Sequence, residues 1–187
     1  GAVYPMYSTR DNIQRIPEMA IDITEKVTAD RFGTPYKMVV GVDFGRLVTA
    51  SSMLKAYKGK GPNEVVWWVV DELITIDRPT DWHFKSLIER YKPEQFLAIG
   101  DPTRNSKDAD KSDYAIAKSM GVNILRANSK NIERKHRYTM VNALLMAADG
   151  KRRLFIDADR HGRPRAPKAA ESFAQLVYGA GGEPETH

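Results

Sequence analysis

Hydrophobic positions in the first half of the chain come in short runs separated by turn-forming residues. Residues 38–43 are mostly apolar and β-branched and end in a carboxylate, a pattern typical of a buried strand. Residues 47–57 and 64–74 are two longer runs, and residues 58–63 between them supply glycine, proline and asparagine. Turn residues between two strand-like runs predict a hairpin. We therefore expect three leading strands that form an antiparallel meander.

From residue 80 onward, stretches with helical spacing of apolar residues alternate with short buried runs. The spacing predicts helices over residues 80–91, 112–120, 131–148 and 169–178, and strands over residues 95–101, 122–126 and 153–157. Strands that alternate with helices indicate parallel crossovers. The pattern therefore predicts an α/β protein with a mixed sheet of five to six strands, antiparallel at first and then parallel, with helices on both faces.

The first 35 residues differ from the rest because their periodicity is weak and prolines interrupt them. Residues 18–27 fit either a strand or a short helix. We expect residues 1–35 to be a lead-in or linker that lies against the domain or connects it to an upstream domain. Residues 36–187 are predicted to form a single domain, since a chain of 187 residues has room for one.

Composition excludes several classes of protein. Hydrophobic residues at 42% and charged residues at 28% are typical of a globular protein. The absence of cysteine excludes thiol catalysis, iron–sulfur clusters and zinc-finger sites. The longest apolar stretch, residues 65–70, is too short to cross a bilayer, so no membrane segment is expected. A net charge of +5 favours polyanionic partners only mildly.

Two carboxylates stand out because each ends a predicted buried strand. Asp43 ends the first apolar run, within Val-Gly-Val-Asp-Phe-Gly at 40–45. Asp101 ends the later run, within Leu-Ala-Ile-Gly-Asp-Pro at 97–102. If these strands are parallel neighbours, Asp43 and Asp101 meet at the edge where sites assemble in α/β sheets. Paired carboxylates bind hard cations, so we expect Mg²⁺ or Mn²⁺ rather than zinc. The alternative is that each aspartate is a turn or helix-cap residue.

These motifs resemble a known family. Gly-Val-Asp-Phe-Gly at 41–45, Ala-Ile-Gly-Asp-Pro at 98–102 and Leu-Phe-Ile-Asp at 154–157 are similar to the ribonuclease-H-like nuclease domain of phage large terminase subunits, over residues 36–178. The resemblance implies an endonuclease that cuts concatemeric viral DNA during genome packaging. It also implies two divalent metals, with Asp43 and Asp101 as catalytic metal ligands. Sugar kinases and actin-like ATPases open with a similar glycine-rich turn.

The family also places a third acidic ligand near its C-terminus, in an Asp-His-x-x-Asp-Ala-like helix. This chain has no such motif, so we expect that the nuclease domain is truncated there or that another carboxylate substitutes. Asp157, Asp159 and Glu171 are the candidate substitutes. With an incomplete ligand set, the isolated chain is expected to be weakly active.

Basic residues beside flexible turns are candidate DNA contacts, because phosphates attract lysine and arginine. They lie at the hairpin tip, just after Asp101 and in the loop after the last strand: Lys58, Lys60, Arg104, Arg160, Arg163 and Arg165. The alternative is an ordinary solvated surface.

The resemblance further implies double-stranded DNA as substrate, an ATPase motor domain in the same polypeptide, a small terminase subunit, a portal protein and a location in the host cell cytoplasm. No Gly-x-x-x-x-Gly-Lys-Ser/Thr pattern occurs, so this chain is not the motor. Three alternatives stay open: a Holliday-junction resolvase or other nuclease of the same fold, an ATP-binding module, and a non-catalytic nucleic-acid-binding domain.

Overall fold

Strands and helices alternate along most of the chain. The computed structural model describes residues 1–101, 112–127, 134–178 and 184–185. The strands are β1 (Ile13–Gln14), β2 (Met38–Phe44), β3 (Val48–Lys58), β4 (Val65–Ile76), β5 (Phe96–Gly100), β6 (Asn123–Arg126), β7 (Leu154–Asp157), β8 (Val177–Tyr178) and β9 (Pro184–Glu185). The helices are α1 (Thr9–Asn12), α2 (Thr24–Phe32), α3 (Thr80–Arg90), α4 (Asp113–Ser119), α5 (Arg134–Leu145) and α6 (Pro167–Gln175).

Seven strands form one mixed sheet in the order β1-β7-β4-β3-β2-β5-β6, and β8 and β9 form a separate antiparallel pair. The chain divides into two compact units, and the long strands β3 and β4 enter both. The β2 unit comprises the described residues of Asp22–Lys55 and Asp71–Lys130. The β7 unit comprises those of Gly1–Ile21, Ala56–Val70 and Asn131–His187.

In the β2 unit, β2 lies between an antiparallel and a parallel neighbour. Val42 pairs with Ser51 of β3 on one side and with Gly100 of β5 on the other. Side chains alternate across a strand, and alternate residues of β2 are buried: Met38, Val40, Val42 and Phe44. Phe84 and Leu87 of α3 are fully buried in the same unit. The intervening positions of β2, including position 43, are therefore not part of this hydrophobic core.

Helices α3 and α4 are joined where both begin. Ser112 caps α4 by accepting a hydrogen bond from a backbone N–H in the first turn. The Thr80 hydroxyl, at the start of α3, donates to the Asp113 carboxylate at the start of α4. Strand β6 runs parallel to β5, with Arg126 opposite Gly100. The C-terminal ends of β2, β5 and β6 therefore lie side by side.

In the β7 unit, β7 pairs in parallel with both β1 and β4. Trp68 stacks on its cross-strand neighbour Phe155 with ring centroids 4.7 Å apart. Asn12 is fully buried, and its amide donates to the backbone oxygens of Leu145 and Leu154. The N-terminal residues thus contribute a strand and a buried polar anchor to this unit. A connection from residues 1–35 to an upstream domain stays a prediction.

The α/β class and the mixed sheet are confirmed. The hydrophobic pattern locates β2 to β7 and α3 to α6, with shifts of a few residues at their ends. The ambiguous segment 18–27 overlaps a helix, α2, which Gly33 ends at φ +80°. The two-residue strand β1 escapes prediction because two residues carry no periodicity. Within the described ranges, no helix combines the length and apolar character that crossing a membrane requires.

Candidate active site

Asp43 and Asp101 lie at the same edge of the sheet, each one residue beyond the last residues that pair β2 with β5. That last pair is Val42 with Gly100. Adjacent strands are about 4.8 Å apart, so the two aspartates occupy neighbouring positions on parallel strands. Asp43 is exposed and Asp101 is half-buried. Hard carboxylate oxygens from two neighbouring strand positions suit a divalent cation such as Mg²⁺ or Mn²⁺.

Close contacts require glycine at two positions near these aspartates, 45 and 100. A Cβ atom at Gly100 would lie 2.6 Å from the Tyr114 hydroxyl oxygen and 2.8 Å from the Phe44 ring. A Cβ atom at Gly45 would lie 1.9 Å from the backbone oxygen of Val48 in the turn that leaves β2. Such distances do not occur for real Cβ atoms, so both positions need glycine. The glycines shape the two strand ends rather than contributing chemistry themselves.

Tyr114, in the first turn of α4, holds the backbone at Asp101. Its hydroxyl donates to the backbone oxygen of Asp101 at 2.7 Å, and its ring lies 5.5 Å from that of Phe44. Arg126 places its guanidinium 4.8 Å from the centroid of the same ring. Burial raises the pKa of Tyr114; Arg126 opposes this shift, and Asp101 and Asp113 add to it. Tyr114 therefore stays protonated and available as a donor near neutral pH.

The candidate third ligands belong to the β7 unit and have partners of their own. Asp157 accepts the N–H of Ile16 and forms an ion pair with Arg165 at 3.0 Å. Glu171 pairs with Lys168 at 2.7 Å on α6. In the part of the chain that the structure describes, no group of three or more His, Cys, Asp or Glu residues is arranged to hold a metal ion. The third ligand thus stays a prediction.

Asp159 organises the loop that follows β7. Its carboxylate accepts the backbone N–H groups of Arg163 and His161 and pairs with the Arg163 side chain at 2.9 Å. These contacts, the Arg163 N–H first among them, lower the pKa of Asp159 to about 2. A carboxylate already bound in this way is a turn-forming residue in this structure.

The predicted DNA contacts fall into three groups. Lys58 and Lys60 are exposed at the hairpin tip. Arg163 and Arg165 form ion pairs, while the exposed Arg160 contacts the ring of His161. Arg104 lies outside the described residues. Their part in DNA binding stays a prediction.

Sequence reasoning missed Tyr114 and Arg126. Arg126 ends strand β6 at the same edge as the two aspartates, so the strand-end argument that selects Asp43 and Asp101 also selects Arg126. Tyr114 carries no comparable signal, because its contact with Asp101 depends on how α4 packs.

Comparisons with known proteins identify the fold. No protein-family model matches the sequence, and no curated protein matches it. The nuclease domain of the P22 large terminase superposes with a TM-score of 0.65 at 10% identity, over 100% of this chain and 84% of that domain. The SPP1 bacteriophage large terminase nuclease domain with bound Mn has a TM-score of 0.45 at 19% identity, over 94% of this chain and 85% of that domain. Thermus thermophilus RuvC has a TM-score of 0.40 at 15% identity, over 62% of this chain and 83% of RuvC.

The superposition on the P22 domain agrees with the resemblance found in the motifs around Asp43 and Asp101. The chain has the ribonuclease-H-like fold of the large terminase nuclease domain.

Proposed function

We propose that this chain is a metal-dependent DNA endonuclease that cuts concatemeric viral DNA during genome packaging. The observation that carries the proposal is the placement of Asp43 and Asp101 at adjacent ends of the parallel strands β2 and β5. Sites in α/β sheets assemble at this edge. The fold shared with the P22 terminase nuclease domain supports the same conclusion.

Asp43 and Asp101 would hold Mg²⁺ or Mn²⁺ in a two-metal site. Such ions lower the pKa of a water nucleophile and stabilise the leaving oxygen of a phosphodiester. Two carboxylates provide only part of the ligand set for two ions. We propose that one of Asp157, Asp159 and Glu171 supplies a further ligand.

The chain's own residues would position this pair rather than react. Gly100 lets Tyr114 and Phe44 approach the end of β5 closely. The Tyr114 hydroxyl then fixes the backbone that carries Asp101. Because the side chain of a metal ligand must be held within about 0.5 Å of its productive position, this support matters for activity.

The proposed setting follows the P22 and SPP1 relatives, which are parts of large terminases. We propose double-stranded DNA as substrate and an ATPase motor domain in the same polypeptide. A small terminase subunit and a portal protein complete the proposed assembly, in the cytoplasm of the infected host cell. At the DNA, Lys58, Lys60, Arg104, Arg160, Arg163 and Arg165 are the proposed phosphate contacts.

Nicking of supercoiled plasmid by the purified chain tests the activity. Nicking is expected with Mg²⁺ or Mn²⁺ and not with a chelator. Asp43→Asn and Asp101→Asn are each expected to slow it by about 100-fold or more, since losing even an outer partner of a metal site costs about 10- to 100-fold. Asp30→Asn is the matched control, because Asp30 is an exposed aspartate of α2 that pairs with Lys26. Metal-dependent nicking at the parental rate by both site variants would refute the assignment.

The same assay separates the alternatives. Among Asp157→Asn, Asp159→Asn and Glu171→Gln, the variant of a true third ligand is expected to lose activity as Asp43→Asn does. A preference for four-way junctions over linear duplex would favour a resolvase. DNA binding without metal-dependent cleavage would favour a non-catalytic module.

A further inference from the structure

A cavity between α4 and β6 lies beside the candidate active site. Its volume is about 320 Å³, and Ser112, Tyr114, Lys118 and Arg126 provide its polar lining. Tyr114 is the residue whose hydroxyl binds the Asp101 backbone. Arg126 pairs with Gly100 across β5 and β6, and the next residue, Ala127, donates its N–H to the Gly100 oxygen at 2.9 Å. The cavity therefore borders the strand end that carries Asp101.

The described lining of this cavity carries only positive charge. None of its seven described lining residues is acidic, and two of them, Lys118 and Arg126, are exposed cations. Neither forms an ion pair with a described carboxylate. Lys118 lies one helical turn after Tyr114, so both project on the same face of α4. Two cations that converge on one recess attract an anion there.

Arg126 is held in a geometry that suits a phosphate. Its guanidinium stacks 4.8 Å from the centroid of the Tyr114 ring. Stacking on an aromatic face leaves the N–H groups at the guanidinium edge free to donate, and their fork matches the oxygens of a phosphate. The hydroxyl of that same Tyr114 ring donates to the backbone oxygen of Asp101, so the stacked guanidinium lies near the end of β5.

We propose that the cavity formed by Lys118, Tyr114 and Arg126 binds a backbone phosphate of the DNA strand next to the phosphate held at Asp43 and Asp101. The inference rests on the proposed function in taking DNA as the substrate. The site contacts phosphate rather than base edges, so it contributes affinity and register without sequence preference.

Salt-dependent DNA binding tests this subsite without requiring cleavage. Binding of a short fluorescent duplex to the Asp43→Asn protein is measured with a chelator between about 50 and about 200 mM salt. Arg126→Gln and Lys118→Gln are each expected to weaken binding about three- to tenfold and to reduce the salt slope by about 0.9. Arg126→Lys is expected to keep the slope, because it keeps the charge.

Matched controls come from α2. Arg31 is an exposed arginine whose guanidinium lies 5.8 Å from the Phe32 ring centroid, and Lys26 is an exposed lysine on the same helix. Arg31→Gln and Lys26→Gln are expected to leave the slope unchanged. Thermal melting checks folding, and Lys118→Gln carries the test if Arg126→Gln unfolds. Parental slopes for both cavity variants, or equal losses in the controls, would overturn the subsite alone. No DNA binding by the Asp43→Asn protein would overturn both the subsite and the proposed function.

Discussion

The hydroxyl of Tyr114 donates to the backbone oxygen of Asp101 at 2.7 Å. The ring of the same tyrosine lies 5.5 Å from the ring of Phe44, the residue that follows Asp43. Tyr114 of α4 thus contacts the backbone of Asp101 and the residue next to Asp43. It connects the helix to the two strand ends that form the candidate site.

Tyr114→Phe is expected to reduce metal-dependent nicking about three- to tenfold while the fold is retained. The variant keeps the ring contact and loses only the hydrogen bond, worth about 1 kcal/mol of unfolding free energy. Plasmid nicking together with urea unfolding checks both effects. Tyr36→Phe serves as the control, since the Tyr36 hydroxyl has no hydrogen bond to a described side chain or backbone group. Equal activity of Tyr114→Phe and the parent would show that the contact does not position Asp101.

Gly100→Ala is expected to destabilise the protein by about 1–3 kcal/mol, because the new methyl group would overlap Tyr114 and Phe44. Gly41→Ala is the matched control on the neighbouring strand, where a Cβ atom meets nothing within 4 Å. Chemical denaturation of both variants makes the comparison. A stability of Gly100→Ala equal to that of Gly41→Ala would contradict the packing described here.

His83 makes unfolding free energy depend on pH. The ring is fully buried between the hydroxyls of Ser51 and Thr75, at 2.7 and 2.8 Å. Burial, helped by the positive charge of Arg90, lowers the pKa of His83 from 6.5 to about 4. The unfolded chain therefore binds a proton more readily than the folded one between these values, so stability is complete above pH 6.5 and falls as the pH drops towards 4.

The expected loss from His83 is about 3 kcal/mol across that window, at about 1.36 kcal/mol for each pH unit. Carboxylates also titrate there, so the quantity to compare is the difference between the parent and His83→Gln, measured by urea unfolding from pH 7.5 to pH 4.5. His136→Gln, which removes an exposed histidine of α5, is the control. Parallel pH profiles for the parent and His83→Gln would refute this role.

Asn12→Ala is expected to cost about 1–3 kcal/mol, because it removes the buried amide that donates to two backbone oxygens. The Asn12 amide donates to Leu145 and Leu154, and its oxygen accepts from Arg152 at 2.8 Å. Gln14→Ala changes an exposed amide two residues later and is expected to be nearly neutral. Thermal melting of the two variants checks whether the N-terminal residues stabilise the β7 unit, and equal melting temperatures would contradict this.

Residues 38–43 and 95–101 illustrate what could be predicted from the sequence. Their apolar runs are long enough to identify buried strands, and the carboxylate that ends each run follows from the same pattern. The alternation with helices then predicts that these strands are parallel. Local periodicity and topology rules are sufficient for this part of the fold.

Contacts between distant residues could not be predicted in this way. Arg165 forms an ion pair with Asp157, because a turn brings these two residues together although they are eight positions apart in the sequence. As a candidate metal ligand, Asp157 therefore already has a cationic partner. His83 lacks metal-ligand spacing in the sequence, yet it is a buried residue of α3 that hydrogen-bonds to β3 and β4. Such roles depend on packing, and no short-range pattern records them.

The central claim is that Asp43 and Asp101 act together on a divalent cation, and calorimetric titration with Mn²⁺ tests it most directly. The parent, Asp43→Asn, Asp101→Asn and the double variant are compared, with Asp30→Asn as control. Each single substitution is expected to weaken Mn²⁺ binding at least about tenfold. The double substitution is expected to weaken it little further, since ligands of one ion are not additive. Parental Mn²⁺ affinity in both single variants would contradict the claim.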